Sequence, residues 1–349
     1  METKIIKINQ NNINEELISD AVNIIKSSGI VAFPTETVYG LGANGLDEEA
    51  VKKIFIAKGR PQDNPLILHV YSIEQVKELV KEIPDIAKIC MEKFWPGPLT
   101  ILLQKSNKVP KIITAGLDTV AIRMPENKIA LELIRISNAP IAAPSANISG
   151  RPSPTSAKHV VEDMMGKVDM IIDGGDTGIG LESTVLDLSG EQPMILRPGG
   201  VTKEELQKII PNITIDFAII KEDENTIPKS PGQKYRHYAP KSDMVVFSGD
   251  VDRIVETIVG KTKEYMALGK KVGIICTDET KELYKEGLII SMGSRQNKKT
   301  IAHNLFNTLR LFDEENVDII LAEGIELSDL GIAIMNRMMK AAAGRIIRV

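Results

Sequence analysis

Two cysteines, Cys90 and Cys276, are all that this 349-residue chain contains. Two isolated thiols make neither a disulfide framework nor a cysteine-ligated zinc site. Aromatic residues are also sparse, at 4%, which argues against the stacking platforms that hold single-stranded nucleic acid. Nor is there a positive excess: 43 Lys and Arg stand against 47 Asp and Glu, a net charge of −4. A surface that tracks a phosphate backbone needs clustered cations, so stable nucleic-acid binding is not expected. A local basic pocket for one small polyanion stays open. No apolar run approaches the ~18 residues of a membrane span. The start Met1-Glu2-Thr3-Lys4 leads into alternating and Asn-rich sequence without an apolar signal core. The expectation is a cytoplasmic protein with no membrane partner. G-x-S-x-G, G-x-x-x-x-G-K-[ST], H-E-x-x-H and metal-spaced Cys/His clusters are all missing, so a site here would work by positioning and charge stabilisation.

What is present suits two α/β domains, at ~100–200 residues each. Short β-branched runs bounded by Pro or Gly alternate with amphipathic stretches up to about residue 210. Strands are expected at Ile5–Ile8, Ile30–Phe33, Leu66–Val70, Thr100–Leu103, Val120–Arg123, Ile141–Ala143, Met170–Ile172, Thr184–Asp187 and Met194–Arg197. Residues 15–27 carry Leu17, Ile18, Ala21, Val22, Ile24 and Ile25 at helical spacing, and Asp47 can cap a helix running to about Ala57. Together these predict one large mixed twisted sheet with flanking helices over 1–210. Residues 211–242, with the charge run 221–225 and Pro228, Pro231, Gly232 and Pro240, read as an interdomain linker. From 243 to 349 four β–α units, with helices near 252–267, 278–286, 299–315 and 328–342, predict a small Rossmann-like doubly wound domain. It lacks a G-x-G-x-x-G after its first strand.

Four segments of the first domain place polar groups and glycines at strand ends, where α/β sheets hold ligands. Phe33-Pro34-Thr35-Glu36-Thr37-Val38-Tyr39-Gly40-Leu41-Gly42 offers hydroxyls, a carboxylate and two glycines, and by itself is equally a glycine-rich turn. Lys58-Gly59-Arg60…Asn64-Pro65-Leu66…His69 sets two cations beside a glycine, an arrangement suited to a triphosphate or to simple charge complementation of a helix end. Pro144-Ser145-Ala146-Asn147 is a compact polar turn. Asp173-Gly174-Gly175, Glu182-Ser183-Thr184-Val185 and Arg197-Pro198-Gly199-Gly200 bracket short strands. Arg123, closing its strand, is a carboxylate partner or a surface ion-pair member.

In this order the segments resemble the YrdC-like family of threonylcarbamoyl-adenylate synthases. Ser230-Pro231-Gly232-Gln233-Lys234-Tyr235-Arg236-His237-Tyr238-Ala239-Pro240 is similar to the linker of its longer, two-domain members, with Gln233 where methionine is frequent. Each motif is weak alone; the ordered set is specific and spans nearly the whole chain. The resemblance implies that L-threonine, bicarbonate and ATP, with magnesium accompanying the phosphates, give threonylcarbamoyl-AMP and pyrophosphate. The product would pass to a downstream tRNA threonylcarbamoyl transferase. It implies an ATP side of Lys58, Arg60, Asn64, Thr119, Ser145, Asn147, Ser153 and Arg197, with Arg236 and His237 closing over the nucleotide as a lid. The implied threonine pocket is Thr37, His69, Arg123, the backbone of Ala143, and Ser183. No protein-held metal is implied. The alternative is an RNA-binding or translation-associated module without adenylate-forming activity.

Overall fold

The computed structural model describes residues 1–13, 15–216 and 237–349. It divides into two compact units: Met1–Ser149 with Ser153–Tyr235, and Gly150–Pro152 with Arg236–Val349. Strands of the first unit are β1 Lys4–Lys7, β2 Val31–Phe33, β3 Gly40–Asn44, β4 Ile67–His69, β5 Leu99–Gln104, β6 Thr119–Arg123, β7 Ile141–Ala142, β8 Met170–Asp173, β9 Thr184–Asp187, β10 Met194–Arg197 and β11 Thr214–Ile215. They form one 11-stranded mixed sheet in the order β1-β8-β2-β3-β7-β4-β6-β5-β9-β10-β11. The sheet therefore runs into the stretch expected to be linker.

Alternation sorts the side chains of this sheet into two faces. On one, Val31, Phe33, Ile141, Met170 and Ile172 pack against α1 (Glu15–Lys26) through Ile18 and Val22 and against α6 (Lys128–Ser137) through Ile129 and Leu133. On the other, Ala32, Leu41, Leu68, Ile122 and Ile171 meet Ala50, Val51 and Ile54 of α2 (Glu48–Lys58) and further helices beyond it. Helix α2 starts where expected because the Asp47 carboxylate accepts from the backbone N–H of Glu49 and Ala50. It stops at Gly59, whose φ of +60° only glycine adopts without strain.

The Gly40–Gly42 run differs from a turn. It is strand β3, antiparallel to both β2 and β7. A Cβ at Gly42 would lie 2.6 Å from the Phe33 ring, so glycine lets the sheet close over that side chain.

In the second unit β12 Asp243–Ser248, β13 Val272–Cys276, β14 Leu288–Ser291, β15 Ile319–Glu323 and β16 Ile346–Arg348 form a five-stranded sheet ordered β14-β13-β15-β12-β16. All pairings are parallel. Val272, Ile274 and Cys276 pack with Ile254 and Ile258 of α9 (Val251–Ala267). A Cβ at Gly273 would meet Phe312 of α10 (Lys298–Glu315), so helices cover both faces and the sheet is doubly wound. The helix expected at 278–286 is only a single turn, Lys281–Leu283. Its flanking residues Thr280 and Tyr284 instead direct hydroxyls to the buried carboxylate of Glu323, at 2.5 and 2.7 Å. Hydroxyl side chains engaged this way compete with helical pairing.

Candidate active site

Strand register builds the first half of the site. His69 pairs with Arg123 on β6 and with Ile141 on β7, which puts both polar side chains on the face that α1 and α6 cover further along. The same face also carries Ile67, Leu102, Ala121, Val185 and Leu196, a small apolar cluster made, among the described residues, by strands alone. The antiparallel β5–β6 register brings Thr100 next to Arg123 in the same row. The Thr100 hydroxyl is 2.7 Å from that of Ser183. Thus His69, Arg123 and Thr100 line up across the sheet, and Ser183, two residues before the Val185 that pairs with Thr100, reaches the row through its hydroxyl.

Arg123 is 4% exposed, so it is no surface ion-pair member. Its Nε donates to the Gly97 carbonyl at 3.2 Å and its Nη1 to the Thr37 hydroxyl at 3.0 Å. Its Nη2 lies 2.6 Å from Glu36 Oε1, yet the two are not aligned for a hydrogen bond, and neither Glu36 oxygen has a hydrogen-bond partner among the described residues. Nδ1 of the buried His69 has none either. Burial first, and the Arg123 charge second, push the His69 imidazole down to about 3, so it is neutral at physiological pH. Ala143, whose N–H donates to Ile67, continues β7 beside β4.

The second half gathers around the end of α2. Lys58 is buried and donates to the carbonyls of Ser145 and Asn147 at 2.5 and 2.6 Å, which fixes the polar turn against the helix end. Burial, and then the nearby Arg60, hold its ammonium well below the usual lysine range. Two of its three donors are so engaged. Arg60 donates to the carbonyls of Asn64 and Pro65, and the Oδ1 of buried Asn64 has no hydrogen-bond partner among the described residues. Thr119 opens β6, two residues before the Ala121 that pairs with Ile67. It therefore sits at the Pro65 end of the sheet, roughly 13 Å along the strand from Arg123. Gly40 and Ser145 form an isolated antiparallel bridge, which ties this half to the strand leading from Thr37.

A third group joins β9 to β10. Arg197 donates to the Ser183 carbonyl from Nε and Nη2, and from Nη2 to its hydroxyl at 3.1 Å. Ser153 donates to Glu182 at 2.6 Å. Gly199 is required here: a Cβ would fall 2.4 Å from the backbone of Glu182, Ser183 and Thr184. Of the two linker residues, Arg236 lies outside the described residues, as does most of the motif that contains it. His237 belongs to the second unit, its ring 5.6 Å from that of Tyr238. Sequence reasoning assigned no role to Glu36, Thr100 or Glu182. Glu36 was visible inside the first motif, but nothing in the local pattern showed that it meets a distant arginine. Among the described residues no group of three or more His, Cys, Asp or Glu could hold a metal ion, and no helix is long and apolar enough to cross a membrane.

A buried guanidinium beside polar atoms that lack hydrogen-bond partners among the described residues, joined through the Gly40–Ser145 bridge to the turn that Lys58 anchors, makes up the candidate site. Comparison with known proteins narrows the class. Residues 23–199 match a family model described as "Telomere recombination" (Sua5, YciO and YrdC), and residues 201–343 match the threonylcarbamoyl-AMP synthase C-terminal domain. A threonylcarbamoyl-AMP synthase of Pyrococcus abyssi is 53% identical over 97% of this chain and 97% of its own length. That of Bacillus subtilis is 48% identical over 96% and 95%. The crystal structure of P. abyssi Sua5 complexed with L-threonine superposes with a TM-score of 0.95 at 52% identity, covering 99% of this chain and all of that one. The chain belongs to the threonylcarbamoyl-AMP synthase family in its two-domain form, the ATP-dependent, adenylate-forming transferases.

Proposed function

We propose that the first unit joins L-threonine, bicarbonate and ATP into threonylcarbamoyl-AMP, with release of pyrophosphate. The observation that carries this reading is the row across the sheet. Buried polar atoms without hydrogen-bond partners are costly. Among the described residues, Arg123 Nη2, ion-paired with Glu36 but without an aligned hydrogen bond, and His69 Nδ1 keep unused capacity in neighbouring residues of the sheet. A carboxylate on the guanidinium and a hydroxyl on the imidazole would satisfy both. Thr37, which already orients Arg123, and Ser183 would hold the remaining polar groups, with the Ala143 backbone as the pocket wall.

On the nucleotide side Lys58, Arg60 and Asn64 would face phosphates, with Ser145 and Asn147 presented by the turn that Lys58 anchors. Thr119, Ser153 and Arg197 would complete the ATP contacts. Cationic groups of this kind do not ligate a metal ion, so magnesium would arrive with the phosphates and would supply neutralisation of their charge. Threonine's amine and bicarbonate give a carbamate and water; a carbamate oxygen then displaces pyrophosphate at the α-phosphate. The chain's part is to align the reactants and stabilise charge. The product is a labile acyl phosphate, and the class of reaction that consumes it transfers threonylcarbamoyl to an adenosine of tRNA.

Purified protein with ATP and magnesium is expected to release pyrophosphate only when threonine and bicarbonate are both supplied. Pyrophosphate release without threonine, or ADP as the main product, would overturn the reading.

A further inference from the structure

We propose that Glu36 receives the α-ammonium group of the amino-acid substrate, making it a binding and specificity residue of the same pocket. This rests on the threonine reading above. A free amino acid brings two opposite charges on adjacent groups, and Arg123 answers only one of them. Left alone, a buried guanidinium would repel the ammonium end.

Glu36 stands where the second charge is needed. Its Oε1 is 2.6 Å from Arg123 Nη2, and the two side chains are 11% and 5% exposed. A carboxylate has about four acceptor positions, and neither oxygen of this one has a hydrogen-bond partner among the described residues. The contact is thus close but unaligned, which leaves both groups able to pair with a third. The backbone holds the carboxylate in place: the Glu36 carbonyl accepts from Ile179 N–H at 2.8 Å and the Thr37 carbonyl from Gly180 N–H at 3.1 Å. Side by side, Arg123 and Glu36 form the charge complement of an α-amino acid. The same pairing keeps the arginine from standing as an isolated buried charge.

A strut that merely orients Arg123 would look similar, so the test must tell a strut from a contact. Binding of L-threonine and of (2S,3R)-2,3-dihydroxybutanoate, which carries a hydroxyl in place of the ammonium, is measured by calorimetry on wild type and Glu36→Gln. Wild type should prefer threonine. Glu36→Gln should weaken threonine by about tenfold to hundredfold, the range of a charge-assisted contact, while binding of the analogue stays within a fewfold, so the preference collapses. Equal weakening of both ligands makes Glu36 a strut and overturns the proposal, as does unchanged threonine binding. Wild type that binds no threonine overturns the function reading instead. Should Glu36→Gln fail to fold by circular dichroism, Glu36→Asp is compared: it is expected to keep the preference for threonine, and equal loss for both ligands overturns the proposal.

Discussion

His69 shows how one buried side chain ties the site to stability. Its imidazole is held down to about 3 by burial and by Arg123, whereas in the unfolded chain it titrates near ~6.5. Above that value both states are neutral and the contribution to stability is fully present. As pH falls through 6.5 the unfolded state takes a proton that the folded state refuses, and stability declines until pH approaches 3. The slope from this one group reaches about 1.4 kcal/mol per pH unit. Urea midpoints of wild type and His69→Asn between pH 6.5 and 4 should show a shallower acid limb for the variant. Parallel limbs would mean that His69 already finds a proton in the fold. In the proposed pocket, a neutral imidazole beside Arg123 would offer threonine a hydroxyl partner without adding a second buried cation.

Among the elements, α2 bears most directly on the proposed nucleotide side, because its last residue is Lys58 and its stop is Gly59. Both ends are specified locally. Asp47 accepts from two N–H groups of the first turn and also from the Ser28 hydroxyl, the contact that does most to hold its carboxyl below the usual range. Asp47→Ala should cost about 0.5–2 kcal/mol. Gly59 has open space around an added Cβ, so Gly59→Ala meets only the strain of φ +60°, about 1–2 kcal/mol. Denaturant midpoints should fall in both variants with unchanged m-values. Only Gly59→Ala, next to Lys58 and Arg60, should also raise the apparent ATP constant. A matching ATP defect in Asp47→Ala would show that the whole helix shifts.

At the scale of the molecule the two units do not divide the chain at one point. The tripeptide Gly150–Pro152, between Asn147 and Ser153, packs with the second unit. There the Pro152 carbonyl accepts from buried Arg310 at 2.7 Å, the Gly150 carbonyl from Ala239 N–H, and Arg151 sits 3.7 Å from buried Asp313. Tyr238, at φ +62°, stacks on Phe306 with the Arg337 guanidinium 5.7 Å from its ring. A fragment spanning 237–349 keeps the five-stranded sheet and its core but loses the tripeptide. Removing one partner of a buried polar group costs about 1–3 kcal/mol. The fragment should therefore fold, by circular dichroism, with a denaturant midpoint below that of the same strands in the full chain, read by hydrogen exchange. Replacing Arg310 by Met should narrow the gap. Equal midpoints would make the tripeptide incidental to the second unit.

Local chemistry by itself determined a good deal. Alternating β-branched runs located most strands, since a half-buried strand needs one apolar face. Asp47 and Gly59 marked the ends of α2 because caps act within one turn, and the scarcity of cysteines, aromatics and excess cations narrowed the class of function. The ordered polar segments pointed to the family because each keeps its residues at fixed short spacing. Tertiary structure alone decided the rest. That Gly40–Asn44 is a strand depends on β2 and β7 flanking it, and that 278–286 is no helix depends on Glu323 arriving from β15. That Arg123 is buried, and that Glu36 lies 2.6 Å from it, follows from the long-range strand order β2-β3-β7-β4-β6, which chain order does not give. Side-chain period assigns a residue to a face, but only the long-range order of strands says what shares that face, and the site is made of such sharing.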